Sequence, residues 1–231
     1  MSERTRWLVV VLFGAAMAWM ESATVVYLRM LVGRVNPYQR NPLLRHQALG
    51  NTELVRELAT LLMLFAVGWL AGRNWRTRLS YSLIAFGVWD ILYYVFLAVI
   101  AGWPQSLLDW DVLFLIPLPW WAPVIAPLTI AALMVVGGTL VTQFGEARFW
   151  PSRWSLALNA VGIMLALAVF MQDSMRAVSG GEAALRAMLP ARFNWPWFTL
   201  ALLMMSAVIF DLLWQMARVA GVRIRRPPIE S

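Results

Sequence analysis

Four carboxylates, Glu21, Glu57, Asp90 and Asp211, stand inside long apolar stretches of a 231-residue chain. A charge at the centre of a bilayer costs about 2.5–3.5 kcal/mol on insertion scales, so such residues turn inward toward a cation, a hydrogen-bond donor or water. Tyr93 and Tyr94 follow Asp90 at i+3 and i+4 and share its helix face, where their hydroxyls suit donation to a carboxylate or passage of a proton. Arg29 lies two turns beyond Glu21, and Arg56 precedes Glu57. His46, the single histidine, sits with Arg40 and Arg45 between the first two apolar stretches, and Asp109 and Asp111 flank Trp110 in a Trp- and Pro-rich connection.

Two chemistries fit these residue types. Glu57, Asp90, Tyr93 and His46 suit general acid–base work or proton relay. Glu21, Arg29, Tyr94, Arg45, Asp109 and Asp111 suit holding a solute, with the arginines matched to an anionic group. The plainer alternative is that the buried acids make interhelical salt bridges that fix register. A carboxylate–His46 metal site lacks the E-x-x-H or H-E-x-x-H spacing such sites use, so no metal is expected. The sequence identifies no cofactor.

Composition sets the frame. The chain is 61% hydrophobic and 13% charged, well outside the usual balance of a soluble domain. The absence of cysteine removes disulfides, thiolate metal sites and cysteine nucleophiles. All 19 basic residues are arginine, which removes lysine Schiff-base and P-loop chemistry. The net charge of +7 is spread between apolar stretches, which fits loops at anionic lipid heads and not a nucleic-acid surface.

A membrane span needs about 20 mostly apolar residues. Six stretches qualify: 7–32, 54–71, 79–102, 120–144, 154–172 and 196–219. The expectation is an all-α, six-helix transmembrane bundle forming a single membrane domain over 1–231. Asn51 and Thr52 read as caps of the second span and Ser152 as the cap of the fifth, while Pro196 suits the first turn of the sixth. Pro123 and Pro127 predict a kink early in the fourth. Ala16-Met17-Ala18 resembles a signal cleavage site, but apolar residues resume at Val25, so an uncleaved first span is expected.

Arginine sets orientation. Arg4, Arg6, Arg73, Arg76, Arg78, Arg148, Arg153, Arg218, Arg223, Arg225 and Arg226 fall on one side. Only Arg34, Arg40, Arg45, Arg176, Arg186 and Arg192 fall on the other. The rule that cytoplasmic loops are basic puts both termini in the cytoplasm of a bacterial-type inner membrane. The tryptophans form two interfacial belts, with Trp19 and Trp89 mid-span. Residues 112–118 are too few to cross and predict an interfacial or re-entrant cap with Pro117, Pro119 and Pro123. Residues 182–189 predict a short helix on the membrane surface.

Trp89-Asp90-Ile91-Leu92-Tyr93, Trp110-Asp111-Val112-Leu113-Phe114 and Phe210-Asp211-Leu212-Leu213-Trp214 share one pattern, and the third and sixth spans run oppositely, as an inverted repeat requires. The remainder of the two halves does not align. The leading expectation is carrier-type or proton-linked transport of a small solute, through a carboxylate-rich site in the first three helices that opens outward. The alternatives are a membrane-embedded enzyme acting on a lipid or quinone-like substrate, and a non-catalytic subunit of a larger membrane complex. The expected partners are the lipid bilayer and, in the last case, other membrane subunits.

Overall fold

The computed structural model of the chain is described for residues 1–31, 33, 38, 47–115, 117–144, 150–190 and 192–224, with backbone alone at 47–51, 182, 186 and 219–224. Its helices are α1 (Glu3–Leu31), α2 (Gln47–Ala71), α3 (Trp75–Ala101), α4 (Ile125–Thr139), α5 (Arg153–Val178), α6 (Gly181–Ala187) and α7 (Trp195–Ile224). Six stretches are long and apolar enough to cross a membrane, α6 being the helix left out. They succeed one another in alternating direction. Large apolar side chains such as Leu70 (81% exposed), Val99 (73%) and Phe210 (67%) point out of the bundle. In water such a surface would aggregate, whereas lipid solvates it. The chain is a multi-pass membrane protein.

Local chemistry sets the helix ends. Asn74 and Thr77 form a reciprocal cap at the start of α3, Thr77 N–H donating to Asn74 Oδ1 at 3.0 Å and Asn74 N–H to Thr77 Oγ1 at 3.2 Å. Ser152 caps α5 as expected, accepting from Ser155 N–H at 3.2 Å. The expected caps of α2 are corrected: the helix begins at Gln47, so Asn51 and Thr52 lie inside it. Pro127 stands in the first turn of α4, where its missing N–H has no partner to lose, and Pro123 lies outside the helix. The irregularity of this span is instead a π-helical turn at its other end, Leu140–Phe144.

Helix α3 is the centre of the first group and packs against α1, α2 and α4, while α5 packs on α7. Lipid tails are as apolar as leucine, so close packing holds these helices together. Backbones approach closely at several glycines of that group. A Cβ on Gly68 of α2 would lie 2.2 Å from Ser82 N, and one on Gly87 of α3 would lie 2.6 Å from Ala131 O. Ala18, Tyr81, Ile84 and Ala85 fill the first core, and Ala166, Phe170, Phe198 and Ala201 fill the α5–α7 seam.

The connection after α3 differs from the sequence expectation. Two short strands, β1 (Trp110–Val112) and β2 (Trp121–Pro123), pair antiparallel with Asp111 opposite Ala122. The fourth helical span therefore begins at Ile125 and not at 120. Between the strands the chain folds back on the bundle. Leu113 N–H donates to Trp120 O at 2.8 Å, and Ser174 Oγ–H of α5 donates to Pro119 O. Backbone groups withdrawn from solvent must find internal partners, and the hairpin supplies them. A short helix does form where one was expected at 182–189, as α6, Gly181–Ala187.

Candidate functional site

The site grows from one face of α2. Glu53, Arg56, Glu57 and Thr60 stand at i, i+3, i+4 and i+7, which places them along a single stripe. Arg56 Nε donates to Glu53 Oε2 at 2.9 Å, and its terminal nitrogens form ion pairs with Glu53 and with Glu21 of α1. Thr60 Oγ1–H donates to Glu21 Oε2 at 3.2 Å. The partner expected for Glu21 within its own helix, Arg29, is corrected. Arg29 instead reaches across to the hairpin, where its Nη2 lies 3.2 Å from Asp111 Oδ1. The reason is geometric: a neighbouring helix offers Glu21 a cation at its own level, two turns closer than Arg29.

Asp111, on β1, is 1% exposed. Tyr94 Oη–H donates to its second oxygen at 3.2 Å, so both carboxylate oxygens are engaged. Burial raises the Asp111 carboxyl above its usual range, against the pull of Arg29 and of the Tyr94 hydroxyl. The Arg29 guanidinium also lies over the Trp103 ring, 4.4 Å from its centroid, so the cation is held between a carboxylate and an aromatic face. Glu57 accepts from Leu115 N–H at 3.2 Å, which makes the hairpin a second wall of the site.

Asp90 differs from these four acids. It is 9% exposed, it lines the cavity described next, and it accepts no hydrogen bond from any described residue. Tyr93, one turn on, also faces that cavity with its hydroxyl free of hydrogen bonds among the described residues. Trp89 stacks on Tyr93 with ring centroids 6.0 Å apart.

These groups line one end of a cavity of about 920 Å³. Ligand sites typically occupy about 300–1,000 Å³, so a drug-sized molecule fits. At one end the lining comprises Glu21, Arg29, Glu53, Arg56, Glu57, Asp90, Tyr93, Tyr94 and Asp111. Beyond them the walls become apolar, with Phe86, Met134, Ile163, Leu167 and Ile209. The lining continues to Ser80, Trp150 and Pro151, close to the starts of α3 and α5. The space runs between the α1–α4 group and the α5–α7 pair, and so spans most of the bundle.

Of the residues singled out from sequence, Glu21, Arg29, Glu57, Asp90, Tyr93, Tyr94 and Asp111 converge on this cavity. Arg45 and His46 lie outside the described residues. Asp109 is not in the cavity; it accepts from Gln105 N–H at 2.8 Å and Ser106 N–H at 3.2 Å and shapes the turn before β1. Asp211 lies at the opposite end of the bundle, accepting from Ser152 N–H at 2.6 Å and Ser155 Oγ–H at 2.8 Å. The three Asp residues of the shared aromatic pattern thus do three different things. Arg56 stood out in the sequence only as a neighbour of Glu57, and Glu53 and Thr60 did not stand out as site residues, although the spacing of all three on α2 was the signal for them. Among the described residues no group of three His, Cys, Asp or Glu is arranged to hold a metal ion. Compared with known proteins, the chain matches no family model, no curated protein and no solved structure.

Proposed function

We propose that this membrane protein is a carrier that moves a small solute in exchange for, or together with, protons. The observation that supports the reading is a continuous cavity whose lining runs from a carboxylate-rich end toward the far end of the bundle. A carrier needs one binding site reachable from each side in turn, and rocking of two packed helix groups about that site is the usual way to provide it. Here the helices divide into such groups, and the cavity lies along their seam. Intramembrane carboxylates are the common proton relays of carriers. In this reading Asp90 is the exchangeable group, while Arg56 holds Glu21 and Glu53 and Arg29 holds Asp111. The basic side, with both termini, faces the cytoplasm of an inner membrane, and the hairpin end faces out.

The same residues favour one rival. A free Asp90 and Tyr93 beside an apolar chamber also suit acid–base chemistry on a lipid or quinone-like substrate. Pyranine-loaded proteoliposomes separate the two. They are challenged in turn with choline, ethidium, benzoate, glucose and decylubiquinol. The carrier reading expects proton movement with at least one solute that is recovered chemically unchanged, and its loss in Asp90→Asn. Chemical conversion of the added compound, or no proton movement with any of them, counts against it.

A further inference from the structure

We propose that the solute is an amphiphilic organic cation, its charged head beside Asp90 and its apolar body in the chamber beyond. The inference deepens the carrier reading and rests on it for the direction of movement, though not for binding. It starts from charge. Among the described residues, the polar end of the cavity holds the carboxylates of Glu21, Glu53, Glu57, Asp90 and Asp111 against the guanidiniums of Arg29 and Arg56. Those two cations are committed, Arg56 to Glu21 and Glu53, Arg29 to Asp111. Glu57 has a backbone N–H. Asp90, 9% exposed and lining the cavity, has no donor among the described residues. A buried carboxylate without a donor is costly, and a ligand that brings a positive charge or an N–H removes that cost.

The surroundings of Asp90 select the kind of cation. A small hydrated ion such as sodium needs a shell of oxygen ligands, whereas the cavity that Asp90 lines carries aromatic rings, among them Phe86, Trp89, Tyr93, Phe114 and Trp120. Trp89 and Tyr93 stack on its own helix, and Phe114 meets Trp120 edge-on at 5.1 Å on the hairpin side. Ring faces attract organic ammonium and related groups most when water is excluded. Past the rings, Met134 and Ile163 offer an unbranched and a branched apolar wall to whatever the head carries. An anionic head would meet the carboxylate excess, and a sugar would lose its hydroxyl partners in the apolar part.

A matched pair of ions tests this directly. Tetraphenylphosphonium and tetraphenylborate have nearly the same size and shape and opposite charge. Their binding to the purified full chain in dodecyl maltoside is measured by equilibrium dialysis, with protein-free micelles as the blank. The phosphonium is expected to bind at least tenfold tighter than the borate. Asp90→Asn is expected to weaken the phosphonium at least tenfold and to leave the borate unchanged. Asp173→Asn, at a site outside the cavity, is expected to change neither. Equal affinity for the two ions, preference for the borate, or unchanged phosphonium binding in Asp90→Asn overturns the proposal. The wild-type comparison alone decides the matter if Asp90→Asn fails to fold. Decylubiquinone binding without a phosphonium preference also overturns it and favours the enzyme reading. Proton movement with a different solute would leave the carrier standing and sink the cation, whereas a phosphonium preference without proton movement would do the reverse.

Discussion

Arg29 Nη2 stands 3.2 Å from Asp111 Oδ1, tying the end of α1 to the first strand of the hairpin. Both side chains are largely withdrawn from solvent, at 14% and 2% exposure. Removing one partner of such a pair strands a buried charge and costs about 3–5 kcal/mol, although the intact pair adds little over apolar residues of the same size. Arg29→Ala is therefore expected to lower the unfolding midpoint in detergent sharply. Arg29→Ala combined with Asp111→Asn is expected to recover most of that loss. A double variant as unstable as Arg29→Ala would mean that Arg29 acts through Trp103 and not through Asp111.

Asp111 also gives stability a pH dependence of definite sign. Burial lifts its folded-state carboxyl above the ordinary value of 3.8. The native state thus binds this proton more tightly than the unfolded chain. The contribution is full below pH 3.8 and is lost as pH rises through the raised value. The stability difference between wild type and Asp111→Asn, measured across a pH series in detergent, is expected to move against the wild type on the alkaline side. A difference independent of pH would show that the carboxyl titrates at its ordinary value.

Arg56 is shared by two acids, Glu21 and Glu53, and the consequence is an asymmetry. Glu21→Gln leaves Arg56 with Glu53 and keeps an acceptor for Thr60, so it is expected to be mild. Arg56→Ala leaves two partly buried carboxylates without a cation and is expected to cost about 3–5 kcal/mol. Thermal unfolding of the two purified variants measures the contrast. Equal losses would place the stabilisation in Glu21 itself.

Asp211 belongs to the scaffold. It accepts from Ser152 N–H and Ser155 Oγ–H at the start of α5, as a capping group does. Asp211→Ala is expected to cost about 0.5–2 kcal/mol, the usual loss of an N-terminal cap, and to leave proton movement in vesicles intact. Loss of that movement in folded Asp211→Ala would extend the functional site to this end of the bundle.

The parts of this architecture that belong to a single helix were legible in the sequence. The apolar stretches, the acids within them and the shared face of Asp90, Tyr93 and Tyr94 follow from periodicity alone. Pairings between elements were not. Glu21 had Arg29 on its own helix as a visible partner, and only the packing of α2 brings Arg56 to it. Gly68-x-x-x-Gly72, a small-residue spacing that marks close helix contact, was overlooked in the sequence, and the structure uses Gly68 to seat α2 on α3. The hairpin escaped notice because its strands are three residues each and the chain between them, rich in apolar residues and proline, carries no tight-turn signal. Its burial of Asp111 turned a loop acid into part of the site.

The central claim is that one cavity serves both sides of the membrane, and the chain's lack of cysteine allows a direct test. Ser80 lines the cavity toward the start of α3, and Val25 lines it toward the end of α1. Ser80→Cys and Val25→Cys, each in proteoliposomes of known orientation, are labelled with a membrane-impermeant maleimide from either side under imposed pH gradients. Ser80→Cys is expected to react from the side of the termini and Val25→Cys from the opposite side, with a reversed gradient raising one rate as it lowers the other. Rates that stay fixed under both gradients, or a cysteine that never reacts from its own side, would contradict it.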